Sequence, residues 1–436
     1  MIFDQLRKKI VEKAIRGQLV PQVQGECLSS KGPYEIPKTW RWVRLSDIAT
    51  NIEYGTSVKC HDVFEDLDIP VIRMGNIKNG KLIFDNLKFA ARSSIDLPKL
   101  SLRNGDIVFN RTNSRELVGK CAVFSGEENE FSFASYIIRA RVCKQEAYYI
   151  SEYINSDLCR STQILPFVTQ QVGQANFNGT KLKNVLIPLP PLEEQVRIVE
   201  KLKEAFAEID RAEKAYEELQ TLAGVLRGQI LQEAIQGKLV PQMAEEGVVE
   251  QIGAAPEEVP FEIPESWRWV QLKSIGQIIG GGTPKTSVAD YWNGDISWIT
   301  PADLGKNTSK WILKGAKSIT QKGLDESSAK LMPEGSIVYS SRAPIGHIAI
   351  AAHELCTNQG CKSFVPDAQF ITTEWAYYML IARTRDIQSR ASGTTFKEIS
   401  GKGVGETWVS LPPIAEQQRI VAKVEELLKQ VDALSA

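Results

Sequence analysis

The sequence predicts an α+β protein in which two mixed α/β domains are inverted about a long antiparallel helical spacer, with a pseudo-twofold internal repeat. One observation behind this prediction is a duplicated block: "LRKKIVEKAIRGQLVPQ" from Leu6 matches "LRGQILQEAIQGKLVPQ" from Leu226. Another is the pair "LPPLEEQVRIVEKL" from Leu189 and "LPPIAEQQRIVAKV" from Leu411. The matched blocks keep their order along the chain, which indicates one architecture used twice.

The central segment, residues 188–242, has the pattern of one long amphipathic helix. From Val199 to Ala234 its apolar residues recur at gaps of three or four, close to a coiled-coil seam. The Leu-Pro-Pro before Leu192 suits the first turn of a helix, and Gly237 suits its end. About 44 helical residues would span roughly 65 Å, and such a helix needs a partner to cover its apolar stripe.

The two ends of the chain supply the predicted partner. The N-terminal segment 1–22 matches only the back half of the central segment, and the C-terminal segment 410–436 matches only its front half. Together they make a second copy of the central helix, divided between the chain ends. We therefore expect an antiparallel bundle, with the N-terminal helix against the front half of 188–242 and the C-terminal helix against its back half.

Residues 31–187 and 261–409 are each long enough for a core of their own, and 243–260 forms a linker before the second. Both domains mix short strand-like runs, such as "GDIVFN" and "GSIVYSS", with helical segments. Each begins with a repeated pattern that contains two tryptophans, which could pack in the core or stack on bases. We expect core packing where the first strand meets the helices. These tryptophans are Trp40, Trp42, Trp267 and Trp269.

The composition is that of an ordinary globular chain, with 436 residues, 43% hydrophobic residues and a formal net charge of −1. No apolar run approaches membrane-spanning length and the charged N-terminus lacks a signal-peptide core, so we expect a cytoplasmic protein. The seven cysteines are scattered and odd in number, which favours reduced thiols. The net charge argues mildly against unaided binding of nucleic acid, but it leaves room for local basic surfaces.

No pattern for catalysis stands out. His61, His347 and His353 are the three histidines, and none has metal-ligand spacing with other ligands. The run "GGGTPKTS" lacks the spacing of a Walker loop. The Pro-Pro pairs at Pro190 and Pro412 follow leucine, so they do not form the Asp/Asn-Pro-Pro-aromatic motif of adenine methyltransferases. The sequence therefore predicts a chain without catalytic residues, metal or cofactor of its own.

Together these features resemble one family, the specificity (S) subunits of type I restriction–modification systems. The resemblance covers essentially the whole chain and rests on the two "LPP..EQ.RIV" blocks, the two "AI.G.LVPQ" phrases and the "P..W.W..L" entry to each domain. It implies that each domain is a target-recognition domain that reads one half of a split, asymmetric DNA sequence. It also implies that the helices fix the gap between the halves and dock two methyltransferase (M) subunits, and through them restriction (R) subunits where these are present.

The same resemblance implies that the chemistry lies in the partner subunits. The M subunits would bring S-adenosylmethionine and methylate adenine N6 after flipping the base out of the duplex. The R subunits would bring ATP and Mg²⁺. M subunits that close around the duplex would supply part of the phosphate contact, so a specificity subunit need not be strongly basic.

Loops in both domains are rich in the side chains that pair with base edges and hold phosphates. For any single residue, a plain solvated loop is the alternative. On the resemblance, the candidate DNA contacts in the first domain are Tyr54, Thr56, Ser57, Lys59, Arg73, Asn76, Arg111, Asn113, Arg115, Gln171 and Gln174. In the second domain they are Thr283, Lys285, Tyr291, Trp292, Arg342, Gln359, Thr394, Thr395 and Lys397.

Two functions of other classes stay open at this point. The chain could be a non-enzymatic coiled-coil scaffold whose two domains bind protein partners or glycans. It could also be an enzyme with an unrecognised site, although the sequence lacks clustered titratable residues.

Overall fold

The computed structural model describes residues 2–26, 31–171, 173–393 and 397–434. The chain divides into two compact units, Met1–Ala215 and Tyr216–Ala436. Each unit combines paired helices with a domain of mixed helices and sheets, which confirms the predicted α+β class. No helix in the described ranges is both long and apolar enough to cross a bilayer.

The first unit contains short helices and fourteen strands in its described residues, together with the front part of one long helix. The helices are α1 Ile2–Ile15, α2 Leu45–Ile48, α3 Leu97–Leu100, α4 Ala147–Asn155, α5 Asp157–Cys159, α6 Gly179–Lys183 and α7 Leu192–Ile235, of which α7 continues into the second unit. The strands are β1 Arg41–Arg44, β2 Ala49–Tyr54, β3 Asp68–Ile72, β4 Ile77–Lys78, β5 Lys81–Leu82, β6 Lys88–Ala91, β7 Ile107–Asn110, β8 Thr112–Asn113, β9 Cys121–Val123, β10 Ser132–Phe133, β11 Ile137–Val142, β12 Thr169–Gln171, β13 Gln174–Asn176 and β14 Leu186–Leu189.

The three larger sheets of the first domain are a four-stranded sheet ordered β2-β11-β7-β9 and three-stranded sheets ordered β10-β3-β6 and β12-β13-β8. The neighbours in the four-stranded sheet are antiparallel. The burial of β7 is continuous because its two faces cover different clusters, with Phe109 on one side and Val108 on the other.

The second unit repeats this arrangement with different loops. Its helices are α8 Pro301–Lys306, α9 Gln321–Asp325, α10 Thr373–Ser389, α11 Gly401–Gly405 and α12 Ile414–Leu434. Its strands are β15 Arg268–Gln271, β16 Gly276–Gly280, β17 Trp292–Ile299, β18 Trp311–Ile312, β19 Lys317–Ile319, β20 Ile337–Tyr339, β21 Ile348–Ala351, β22 Cys356–Thr357, β23 Lys362–Pro366 and β24 Trp408–Leu411. A five-stranded sheet ordered β16-β23-β20-β21-β18 forms its centre.

The helix pairing in each unit follows the prediction from the repeat. In the first unit, Arg7 of α1 bonds to Asp210 and Glu213 of α7 at 2.6 and 2.7 Å. Ile15, at the other end of α1, shares a core with Ile198, near the start of α7, so the two helices run antiparallel.

In the second unit, Arg227 of α7 pairs with Asp432 of α12 at 2.6 Å. Ala234 shares a core with Ile420, near the start of α12. These contacts confirm the predicted partner for each half of α7.

The glutamate of each "LPP..EQ" block receives a hydrogen bond from the first tryptophan of its domain. Trp40 Nε1 donates to Glu194 at 2.9 Å, and Trp267 Nε1 donates to Glu416 at 2.8 Å. Both carboxylates are buried. Burial raises the pKa of Glu416, and the hydrogen bonds from Trp267 and Gln242 oppose that rise. A buried carboxylate needs such donors, which explains why this Glu and this Trp occur together in both copies.

The glutamine that follows holds the domain to the same helix. Gln195 accepts from the backbone N–H of Glu146, just before α4, at 3.0 Å. Gln417 accepts from the backbone N–H of Thr372, just before α10, at 2.8 Å. Each glutamine also donates to a proline carbonyl of its own Leu-Pro-Pro turn at 2.9 Å. The block is therefore a connector between helix and domain.

The four tryptophans of the repeated entry pattern all lie in the core, as we expected. Their exposed fractions are 0% for Trp40, 8% for Trp42, 1% for Trp267 and 5% for Trp269. Each domain enters through a strand that pairs antiparallel with its last strand, β1 with β14 and β15 with β24. The tryptophans are buried at this junction and are not available for stacking on bases.

Candidate nucleic-acid interface

Several polar candidates of the first domain meet at one end of its four-stranded sheet. Because β11 lies between β2 and β7, Tyr54 at the end of β2, Arg111 after β7 and the turn before β11 are neighbours. The backbone N–H of Arg111 donates to the carbonyl of Tyr136 at 3.0 Å. The N–H of Ser135 donates to the carbonyl of Thr56 at 2.8 Å.

Tyr54 and Arg111 hold each other in place. The Tyr54 hydroxyl accepts from the backbone N–H of Gly179 at 2.6 Å, and the Arg111 guanidinium lies 4.9 Å from the centroid of the Tyr54 ring. Arg111 Nη1 also donates to the Ser135 carbonyl at 3.2 Å. An arginine stacked and bonded in this way keeps the rest of its planar fork available for a guanine edge or a phosphate.

Strand pairing brings two amides to the same edge. Asn113 of β8 lies opposite Ala175 of β13, next to the exposed Gln174. The backbone N–H of Phe177 donates to the carbonyl of Arg111 at 2.8 Å. With the exposed Ser57, these residues define what we name the first polar edge: Tyr54, Ser57, Arg111, Asn113 and Gln174. Gln171 ends β12 beside it, and its side chain lies outside the described part of the chain.

Two candidates of the first domain are buried and hydrogen-bonded within their own turns, and their role as DNA contacts stays a prediction. Asn76 is 4% exposed; its Oδ1 accepts from the N–H of Arg73, and its Nδ2 donates to the carbonyls of Ile83 and Asp85. Thr56 is buried, and its hydroxyl accepts from the N–H of Val58 at 3.1 Å. Side chains whose donors and acceptors are already hydrogen-bonded inside a turn have few groups available to bind a base edge.

The remaining candidates of the first domain lie around the edge. Lys59 and Arg115 are exposed, and Arg73 is half-buried directly after β3. Arg73 follows β3 of the neighbouring β10-β3-β6 sheet, and Lys59 lies two residues before His61, which bridges β6 at Phe89.

The second domain presents a corresponding edge with different side chains. Thr283 hydrogen-bonds to Gln359 through its hydroxyl, and both are exposed. The N–H of Ala343 donates to the carbonyl of Lys397 at 3.1 Å, which places Lys397 beside Arg342. We name Thr283, Arg342, Gln359 and Lys397 the second polar edge. Thr394 and Thr395 lie outside the described residues.

Arg342 is not free on this edge. Its Nε and Nη2 contact Glu398 at 3.0 and 2.8 Å, and the two residues form an isolated antiparallel bridge. In the first domain, Thr112 and Asn176 have the same places in the strand register, and Asn176 donates to the Thr112 hydroxyl at 2.9 Å. One cross-strand pair is therefore ionic in one domain and neutral in the other.

Trp292 contacts Lys285. The indole N–H of Trp292 donates to the Lys285 carbonyl at 3.3 Å, and its ring packs edge-on against Trp298 with centroids 5.1 Å apart. The ammonium of Lys317 lies 5.3 Å from the Trp292 ring. Trp292 therefore anchors its loop, while Lys285 is exposed and Tyr291 half-buried.

Two residues beside the polar edges were not among the candidates from the sequence. Tyr136 is 50% exposed and adjoins Arg111 through its carbonyl. Glu398 pairs with Arg342 from a segment more than fifty positions later. Neither has a local motif; only the pairing of distant strands places them here.

The thiols and the glycine-rich run of the described residues have structural roles. No group of His, Cys, Asp or Glu among them could hold a metal ion. Burial raises the pKa of the Cys121 and Cys361 thiols to about 12, so both stay protonated and unreactive. In the "GGGTPKTS" run, a Cβ on Gly281 would overlap the carbonyl of Asn358 and one on Gly282 the backbone of Ala329. These glycines serve close backbone packing.

Comparison with known proteins agrees with this architecture. The family described as the type I restriction modification DNA specificity domain matches residues 37–221 and 264–435. The chain belongs to this family. The two matched segments cover both domains and the helices that follow them, so the family match repeats as the sequence does.

Members of the family similar to the chain include specificity subunits of archaeal and bacterial restriction enzymes. A putative specificity subunit named MjaX, from Methanocaldococcus jannaschii, is 28% identical over 92% of this chain and 88% of the relative. The EcoKI specificity subunit of Escherichia coli K12 is 22% identical over 92% of this chain and 84% of the relative. The MjaIX specificity subunit is 38% identical over a shorter stretch, 36% of this chain and 37% of the relative.

The fold is also that of solved family members. The HsdS subunit of Thermoanaerobacter tengcongensis matches with a TM-score of 0.61 at 23% identity, over 93% of both chains. A chain from a study of assembly and conformational transition of the type I R-M system matches with a TM-score of 0.63 at 23% identity, over 92% of this chain and 93% of that one.

Proposed function

We propose that this chain is the non-catalytic, sequence-reading subunit of a type I restriction–modification complex. Each domain reads one half of a bipartite, asymmetric DNA target through its polar edge. The observation that carries the proposal is the pairing of two near-identical helix–domain junctions with two chemically different edges. The same Glu–Trp and Gln–backbone bonds support an Arg–Tyr platform in the first domain and an Arg–Glu pair in the second.

The contents of the two edges suit direct readout. Arginine and lysine pair with guanine, asparagine and glutamine pair with adenine, and hydroxyls and backbone N–H groups hold phosphates. The first polar edge offers one arginine with two amides, and the second offers arginine, lysine and one amide. The two half-sites should therefore differ in sequence.

The helices α1, α7 and α12 form the docking surface for two M subunits, and R subunits join through them where present. The M subunits bring S-adenosylmethionine, and the R subunits bring ATP and Mg²⁺. The complex works on DNA in the cytoplasm. A chain with a net charge of −1 needs such partners, because phosphate contacts dominate the affinity for a duplex.

Co-expression of the chain with its M subunit tests the function. Mapping methylated adenines across the host genome should give one split motif with an adenine in each half and a fixed spacer. The chain expressed without M should leave the genome unmethylated. A continuous motif, or methylation by M alone at the same sites, would contradict the proposal.

A further inference from the structure

The first unit contains an open cleft that the DNA-reading function does not use. Its volume is about 970 Å³, and it lies between α1, the β4–β5 hairpin, the segment from α4 through α5, and the front half of α7. Val11, Ile15, Leu82 and Phe206 give the cleft an apolar part. All of its lining residues belong to the first unit.

Most charges that line this cleft are already paired. Arg7 bonds to Asp210 and Glu213, and Lys8 pairs with Asp157 at 2.9 Å. Glu12 accepts from Arg16 at 3.0 Å.

Glu152 of α4 is the exception among the carboxylates on this wall. Its side chain makes no hydrogen bond or ion pair within the described ranges of the chain. Burial raises the pKa of Glu152 to about 7, opposed only in part by Lys81, whose side chain is 78% exposed. A half-buried carboxylate without a partner is costly when it ionises.

The internal repeat shows what the second unit has at the same place. Glu146 and Thr372 both donate their backbone N–H to the glutamine of an "LPP..EQ" block, so Glu152 and Tyr378, six residues later, correspond. Tyr378 donates its hydroxyl to Glu425 of α12 at 3.3 Å.

A lysine completes this contact in the second unit. Lys310, next to β18, reaches the same Glu425 oxygen at 2.6 Å and lies 5.8 Å from the Tyr378 ring. The second domain is thus fastened to its helix by its own lysine. In the first unit the nearest counterpart, Lys81, is 3.9 Å from Asp210 and leaves Glu152 unpaired.

We propose that the cleft receives a lysine or arginine side chain, flanked by apolar residues, from a protein partner, and that Glu152 is its anion. The partner is a protein because the cleft joins an apolar floor to one unpaired carboxylate, Glu152 of α4, beside α1 and α7. The inference rests on the proposed function, in which these helices dock an M subunit, and it makes the two docking positions unequal.

The first test measures M binding by the chain and by its Glu152→Gln variant, with native mass spectrometry for the subunit count and titration for the affinity. The variant should bind the M subunit at the first unit about tenfold more weakly at pH 8 and hold the other with unchanged affinity. Glu127→Gln, at an exposed carboxylate of the first unit outside the cleft, is the matched control, and Tyr378→Phe is the control at the corresponding place in the second unit. Both should bind two M subunits like the unaltered chain.

The effect of Glu152→Gln on the stability of the fold should have the opposite sign from its effect on M binding. Since the folded-state pKa of Glu152 is raised, its stability contribution is present below the unfolded pKa and is lost as the pH rises through about 7. Glu152→Gln should therefore melt at a higher temperature than the unaltered chain at pH 8, with little difference at pH 5. Weaker M binding by a more stable chain cannot come from misfolding.

A crosslink identifies the occupant. With Lys9, which lines the cleft and is exposed, replaced by p-benzoylphenylalanine, irradiation of the complex should join the chain to an M peptide that contains a lysine or arginine. Unchanged affinity of Glu152→Gln, or crosslinks to the chain's own residues alone, would overturn the cleft proposal and leave the proposed function standing. Failure of the unaltered chain to bind any M subunit would overturn both.

Discussion

Arg111 and Arg342 are held by different partners at the two polar edges. Arg111 is fixed against an aromatic ring and a carbonyl, and no carboxylate of the described residues pairs with it. Arg342 is held by Glu398 and must exchange this anion for a base or a phosphate. An exposed ion pair of this kind contributes little to stability, so the exchange is not costly.

Substitution of either arginine by alanine should affect one half-site only. We expect Arg111→Ala to cost about 1–3 kcal/mol of binding to DNA that is intact in the half read by the first domain, because a bidentate contact is lost. Arg342→Ala should do the same for the other half. Competition binding of the M-containing complex to oligonucleotides altered in one half or the other measures this.

Arg103→Ala is the control, since Arg103 is exposed before β7 while Arg111 follows that strand at its other end. It should bind within twofold of the unaltered chain. If Arg111→Ala weakened binding equally on sites altered in either half, its assignment to one half would be wrong.

The two copies of the repeat end their helices with the same geometry. The phrase "AI.G.LVPQ" ends α1 and α7 with a glycine in the left-handed region, Gly17 at φ 68° and Gly237 at φ 69°. The next N–H, of Gln18 or Lys238, returns to a carbonyl five residues earlier at 2.8 and 3.0 Å. This is the Schellman geometry. Each glycine also lies against a proline, Pro37 or Pro264, of the entry pattern of its domain.

Gly237→Ala should therefore destabilise the second unit. A Cβ there would meet the Pro264 ring in a backbone conformation that is already unfavourable for alanine, and we expect a loss of about 2 kcal/mol or more. Gly228→Ala is the matched control in the same helix, because its Cβ would meet nothing within 4 Å. That variant should gain about 0.5–1 kcal/mol from helix propensity. Thermal melting followed by circular dichroism distinguishes the two signs.

At the scale of the whole molecule, domain and helix meet through a small set of bonds, which makes the domains exchangeable. Residues 31–187 contribute Trp40 and the N–H of Glu146, and the helix contributes Glu194 and Gln195. All five residues of the first polar edge lie inside the exchanged segment. Specificity and attachment are therefore carried by different residues.

Replacing residues 31–187 with the corresponding domain of another specificity subunit should change one half of the methylated motif and leave the other half and the spacer class unchanged. The donor must carry a tryptophan that matches Trp40, because otherwise Glu194 is a buried carboxylate without its indole donor. Methylome mapping reads the result. A change in both halves would contradict independent reading by the two domains.

The sequence by itself determined the α+β class, the ends and pairing of the helices, and the burial of the entry tryptophans. These properties follow from local periodicity and from a repeat, which compares the chain with itself position by position. Gly237 and Trp267 could be interpreted from Gly17 and Trp40 because the repeat keeps their neighbours in register.

Tertiary structure alone decided what happens between distant segments. It buried Asn76 in a turn, paired Arg342 with Glu398 and put Tyr136 beside Arg111. It also left the Glu152 side chain without a partner among the described residues. The polar loops and α4 differ between the two copies, so the repeat carries no information there. Which polar side chain stays available depends on strand pairing across long sequence separations, and local composition does not encode that register.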